Sequence, residues 1–111
     1  MLKVVGTSIT LTRGDTARLS LSLTYKDTGE WYIPAEGDTI RFAMKKDYDD
    51  SSGPILTIQI DPDTLELHIR PEDTKQLAYG TYKYDIQLTT ADGDVDTFID
   101  RAELTLTEEV D

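Results

Sequence analysis

Three groups of residues in this 111-residue chain have the types and spacing that chemistry or recognition could use. The first is Arg13-Gly14-Asp15, which spells the tripeptide of integrin ligands. Adhesive use needs display on a protruding loop outside the cell. Here the tripeptide joins two alternating segments, and glycine's freedom in φ accounts for it as a tight turn. The second group is acidic: Asp47, Asp49 and Asp50, then Asp61 and Asp63, then Asp92, Asp94 and Asp96. Calcium takes several oxygen ligands from one loop, but none of these clusters has the Gly and Glu positions of the twelve-residue calcium loop. Asp92-Gly93-Asp94 is accounted for as a hairpin turn. The third group could support acid–base or nucleophilic work: His68, the only histidine, and the serines Ser20, Ser22, Ser51 and Ser52. His68 alternates outward between Leu67 and Ile69. No serine lies in a nucleophile elbow, no glycine loop cradles a phosphate, and the carboxylates lie in turns or on polar strand faces, where water solvates them. No residue is therefore assigned a catalytic, cofactor-binding or metal-binding role. The chain is not expected to be an enzyme or to need a cofactor.

Composition points the same way. Acids outnumber bases 22 to 11, for a net charge of −11. Nucleic-acid binding needs cations against phosphate, and an anionic membrane surface repels the same excess of acid. Neither is an expected partner. The chain has no Cys, which excludes disulfides and thiolate ligands. No apolar run approaches the ~18–20 residues that span a bilayer, and Met1 to Gly6 lacks the apolar stretch of a secretion signal. These features imply one acidic, soluble, intracellularly made domain over residues 1–111.

The elements that must position any site are strands. Apolar residues recur at every second position, as in a strand with one wetted face. Ile9 and Leu11 begin the pattern. A long alternating run follows through Ala17, Leu19, Leu21, Leu23 and Tyr25, then a short strand at Trp31-Tyr32-Ile33 stopped by Pro34. Ile40, Phe42 and Met44 alternate next, then Leu56, Ile58 and Ile60, then Leu65, Leu67 and Ile69. The last two runs read as a hairpin with a four-residue connection. Pro71 to Leu77 is the one helical piece, with proline and acids in its first turn. Tyr82, Tyr84, Ile86 and Leu88 alternate up to the Asp92-Gly93 turn. Beyond it the phase changes near Asp100-Arg101, from Val95, Thr97 and Ile99 to Ala102, Leu104 and Leu106, which predicts a bulge.

This spacing predicts an all-β fold: an immunoglobulin-like antiparallel β-sandwich of about eight or nine short strands with one short helical turn. In such a fold Tyr82 takes the corner between the sheets, Tyr84 a core position and Trp31 the central aromatic position. Leu19, Leu21, Leu23, Trp31, Phe42, Leu56, Ile58, Leu67, Tyr84, Ile86 and Leu88 are expected to be largely buried. The segments 2–5 and 102–106 are expected at sheet edges.

The order of motifs resembles a known family. Ile9 to Thr16 ahead of an alternating leucine strand, then Pro34 to Phe42, Tyr79 to Leu88 and Asp92 to Ile99, together look like the N-terminal domain of phage baseplate upper proteins and related small phage tail structural proteins. The resemblance implies a virion structural protein, assembled in the bacterial cytoplasm, that contacts other tail or baseplate proteins or a second copy of itself. Family members continue into a stalk and a second domain, whereas this sequence ends at Asp111, so a small tail or baseplate accessory is the expectation. The alternative is a β-sandwich binding module for carbohydrate or another cell-surface ligand, with Tyr32, Tyr48 and Tyr79 as its candidate aromatics.

Overall fold

The computed structural model describes residues 2–5, 8–22, 30, 32–47 and 53–108, with 2–5, 100 and 101 described by backbone alone. Among these residues the chain is all-β apart from one helical turn. The strands are β1 (Leu2–Val5), β2 (Ser8–Thr12), β3 (Ala17–Ser20), β4 (Thr39–Lys45), β5 (Leu56–Ile60), β6 (Glu66–Ile69), β7 (Gly80–Thr89) and β8 (Val95–Thr107), and the helix is α1 (Pro71–Thr74). No helix among the described residues is long and apolar enough to cross a membrane.

Six strands form one sheet in the order β1-β2-β8-β7-β4-β5, and β3 and β6 form a second. Residues from both sheets share one apolar core: Ile9 and Leu11, Ala17, Ile40, Phe42 and Met44, Ile60, Leu67 and Ile69, Tyr82 to Leu88 in alternation, and Ala102, Leu104 and Leu106. The intervening residues of β7 are exposed or half-buried, which is the alternation expected of a sheet wetted on one face. The β7–β8 hairpin turns where Asp-Gly predicts: Gly93 N–H donates to the Thr90 carbonyl at 2.9 Å, and Thr90 N–H to the Asp94 carbonyl at 2.8 Å. The predicted bulge is present, because Tyr84 pairs with Ala102 but Ile86 with Ile99, leaving β8 one residue longer. A second shift follows between Ile86 and Gln87.

Tyr82 does what a corner tyrosine does. Its ring is 3% exposed, and its hydroxyl donates to the Ala78 carbonyl at 2.7 Å, bracing the chain as it enters β7. Tyr82→Phe keeps the ring and removes this bond. The expected loss is about 0.5–1.5 kcal/mol of stability in urea titration, with an unchanged slope. A neutral substitution would mean that water replaces the bond at no cost.

Several expectations are corrected. The large sheet is mixed, because β2 runs parallel to β8. The turn after β2 sends the chain to the other sheet, so β2 meets β8 without a hairpin between them. β5 and β6 are not a hairpin: β5 pairs with β4 and β6 with β3. Their connection crosses between sheets, with Leu65 at φ 52 and its carbonyl accepting from Leu21 N–H at 2.8 Å. β8 is interior, flanked by β2 and β7, so 102–106 is no edge. β3 ends at Ser20, short of the long run expected. Tyr32 and Ile33 lie outside any strand, and Ile33 is 83% exposed. Of the expected core, Phe42, Leu67, Tyr84, Ile86 and Leu88 are buried, whereas Leu19, Leu21, Leu56 and Ile58 are half-buried. Those four belong to or extend strands with a neighbour on one side only. Leu23 and Trp31 lie outside the described residues.

Candidate functional site

Arg13 caps the end of the sheet where β2, β8 and the start of β7 meet. Its N–H donates to the Thr107 carbonyl at 3.1 Å. Its guanidinium lies 4.2 Å from the centre of the Tyr79 ring and donates to the Leu77 carbonyl at 3.2 Å. Gly14 N–H donates to Oγ1 of the fully buried Thr74, at 2.9 Å. This tripeptide clamps the loop between α1 and β7 onto the sheet. Its arginine is folded inward, the opposite of the display that adhesion requires.

The described residues of the acidic groups lie in connections or, for Asp96, at the start of β8. The Asp61 carboxylate accepts from Asp63 N–H at 2.9 Å within its own turn. Asp92, Asp94 and Asp96 are exposed at the β7–β8 hairpin and the start of β8. Asp47 is exposed, and Asp49 and Asp50 lie outside the described residues. Among the described residues no three His, Cys, Asp or Glu side chains come together as a metal cluster. Ser20 and Ser22 are exposed, and Ser51 and Ser52 lie outside the described residues.

His68 is half-buried on β6. With Arg70, Asp73, Thr57, Ile58 and Gln59 it lines an open cleft of about 290 Å³ between β5 and β6. Asp73 is held there by Arg70, whose N–H donates to its carboxylate at 2.8 Å. A second hollow, about 240 Å³, lies among Tyr32, Ile33, Pro34, Pro62, Asp63 and Leu65.

The candidate aromatics do not form one platform. Tyr79 is beneath Arg13 at the start of β7. Tyr32 stacks at 5.8 Å on Phe98, which lies beside Ile86 and Gln87, some ~20 Å further along β7. The Tyr32 hydroxyl donates to the Asp38 carboxylate at 2.5 Å, so its polar end braces a turn. Tyr48 lies outside the described residues.

Segment 2–5 lies at a sheet edge as expected, and the other edge is β5, which the alternation pattern does not single out. The large sheet ends at β1 on one side and β5 on the other, and among the described residues neither has a second neighbour. The sequence signal for β5 is the absence of charge: Leu56-Thr57-Ile58-Gln59-Ile60 has no Lys, Arg, Asp, Glu or Pro, the residues that commonly guard an edge. By contrast, the two-stranded sheet carries Arg18 on β3 paired with Glu66 on β6 at 2.9 Å. No protein-family model matches the chain, and no curated protein matches it.

Proposed function

We propose that this domain is an immunoglobulin-like sandwich of a tailed phage or prophage virion. On this reading it is a non-enzymatic tail or baseplate accessory that works by protein–protein contact. One observation carries the mechanism: among the described residues the six-stranded sheet ends at β1 on one side and at β5 on the other. Open edges offer unpaired N–H and C=O groups to a neighbour's strand. Two of them let a single small domain hold two neighbours at once. The order of sequence motifs supplies the virion setting, and the net charge of −11 disfavours nucleic acid as the partner.

The test is co-purification of the tagged full chain with each tail and baseplate protein encoded beside its gene. At least one stable complex is expected. Capture of none of them, together with binding to a glycan array or turnover of a substrate, would overturn the assignment.

A further inference from the structure

We propose that the β7–β8 hairpin end of the domain docks a basic segment of a partner protein. One apolar side chain of that segment sits in the hollow between Tyr32-Ile33-Pro34 and Pro62-Asp63-Leu65, with lysines or arginines on either side of it. The proposal rests on the reading of the domain as one that works by protein contact, and it names the chemistry of a partner.

The hollow has a volume of about 240 Å³, room for one large apolar side chain. Tyr32, Ile33, two prolines and Leu65 make it apolar, and Asp63 is the one charged residue in its wall. Ile33 is 83% exposed on a segment that is braced on both sides. The Tyr32 hydroxyl and Ala35 N–H donate to the Asp38 carboxylate, and the Tyr32 ring stacks on Phe98. On the opposite wall Leu65 N–H donates to the Asp61 carbonyl at 2.8 Å. An exposed isoleucine on braced backbone loses little conformational freedom when a partner covers it, so its burial goes into affinity.

Charge names the occupant. The segments that build this end, residues 32–40, 60–65 and 88–99, contain no Lys, Arg or His. Asp38 is buried and committed to its turn. Glu36, Asp61, Asp63, Asp92, Asp94 and Asp96 are exposed, and among the described residues none of these six is in an ion pair. The hollow and the hairpin are contiguous, because the turn that carries Glu36 and Gly37 rests on Ala91. A neutral apolar partner leaves the carboxylates repelling one another, and an acidic partner adds to the repulsion. Cations beside an apolar anchor relieve it, and the field of the carboxylates steers such a partner in.

The probes are peptides with blocked ends: Lys-Lys-Leu-Lys-Lys, Lys-Lys-Ser-Lys-Lys and Glu-Glu-Leu-Glu-Glu. Each is titrated into the full chain and followed by amide resonances. The basic leucine peptide should bind about tenfold more tightly than the serine peptide, the factor that covering one apolar side chain supplies. The acidic peptide should not bind. The resonances that move should belong to residues 32–38, 61–65 and 91–96, and affinity should fall as salt screens the carboxylates. Ile33→Ser, at a position too exposed to disturb folding, should remove most of the leucine advantage. Ile55→Ser makes the same change at the opposite end of the sheet, where Ile55 N–H donates to the Met44 carbonyl, and should leave that advantage intact. Equal binding of the leucine and serine peptides, an undiminished advantage in Ile33→Ser, or resonance shifts confined to other residues would overturn the proposal. These measurements can fail while a tail protein co-purifies through a sheet edge. Peptide docking without any co-purifying tail protein would keep this site and remove the virion setting.

Discussion

Phe42→Ala is expected to remove about 3–5 kcal/mol of stability, a large part of what a domain of this size has. Phe42 is fully buried at the middle of β4. Ile58 of β5 and Ile86 of β7 flank it in register, and its ring lies 5.1 Å from that of Tyr84 at a tilt of 32°. Truncation therefore loses the transfer energy of the ring, the tilted ring contact with Tyr84, and the packing of three adjacent strands. β-strands on either side hold the backbone in place, so the site cannot collapse to fill the void, which puts the cost toward the upper part of the range. Urea titration followed by circular dichroism measures it. Leu19→Ala should cost distinctly less, because Leu19 is half-buried on the two-stranded sheet. If the two variants lose the same amount, the core is not centred on β4 and β7.

The contrast between these two leucine-or-larger positions also marks how far the sequence could be read. Alternation placed side chains on the correct faces of β4 and β7, because period two is a local property of the strand. It also located the bulge in β8, since a one-residue phase change has a local signature. The depth of burial was not legible. Leu56 and Ile58 alternate as cleanly as Ile40 and Phe42, yet they lie on an edge, and burial depends on whether a further strand lies alongside. Strand partnership was equally hidden. The β5 and β6 runs have hairpin spacing, but Leu65 takes a positive φ and the chain changes sheets. Nothing in the spacing marks a leucine for that conformation, which is uncommon outside glycine, asparagine and aspartate.

The motifs fared differently from the edges. The Arg13-Gly14-Asp15 turn was correctly placed as a connection, but its role as a clamp depends on Tyr79, Leu77 and Thr74, roughly sixty residues away, which no local pattern links to it. The tyrosine corner was legible because its donor and acceptor are four residues apart. The place of β5 at the end of the large sheet had a signal in its lack of charge, and that signal has meaning only once the strand order is known. A central strand buried on both faces would be uncharged for another reason.

Gly37→Ala is the second substitution expected to have a large effect, for two separable reasons. Gly37 sits in the turn that delivers the chain to β4. Asp38 N–H donates to the Ala35 carbonyl at 3.1 Å, and the Asp38 carboxylate accepts from Ala35 N–H at 2.8 Å and from the Tyr32 hydroxyl. These bonds fix the turn and hold Gly37 at φ +89, a conformation that costs a residue with a Cβ about 1–2 kcal/mol. The turn also rests on the β7–β8 hairpin, where an added Cβ would lie 2.7 Å from the Cβ of Ala91. Relief of that overlap requires two turns to separate, at about 1–3 kcal/mol, so the total is about 2–5 kcal/mol. Gly93→Ala separates the two terms. Gly93 has a similar φ of +95, but an added Cβ there meets nothing within 4 Å, so its cost should be the backbone part alone. Adding Ala91→Gly to Gly37→Ala should restore about 1–3 kcal/mol, because the overlap disappears while the strained φ remains. Equal losses for Gly37→Ala and Gly93→Ala, with no rescue from Ala91→Gly, would show that the two turns do not touch and that this end of the large sheet is looser than the packing of Gly37 on Ala91 implies.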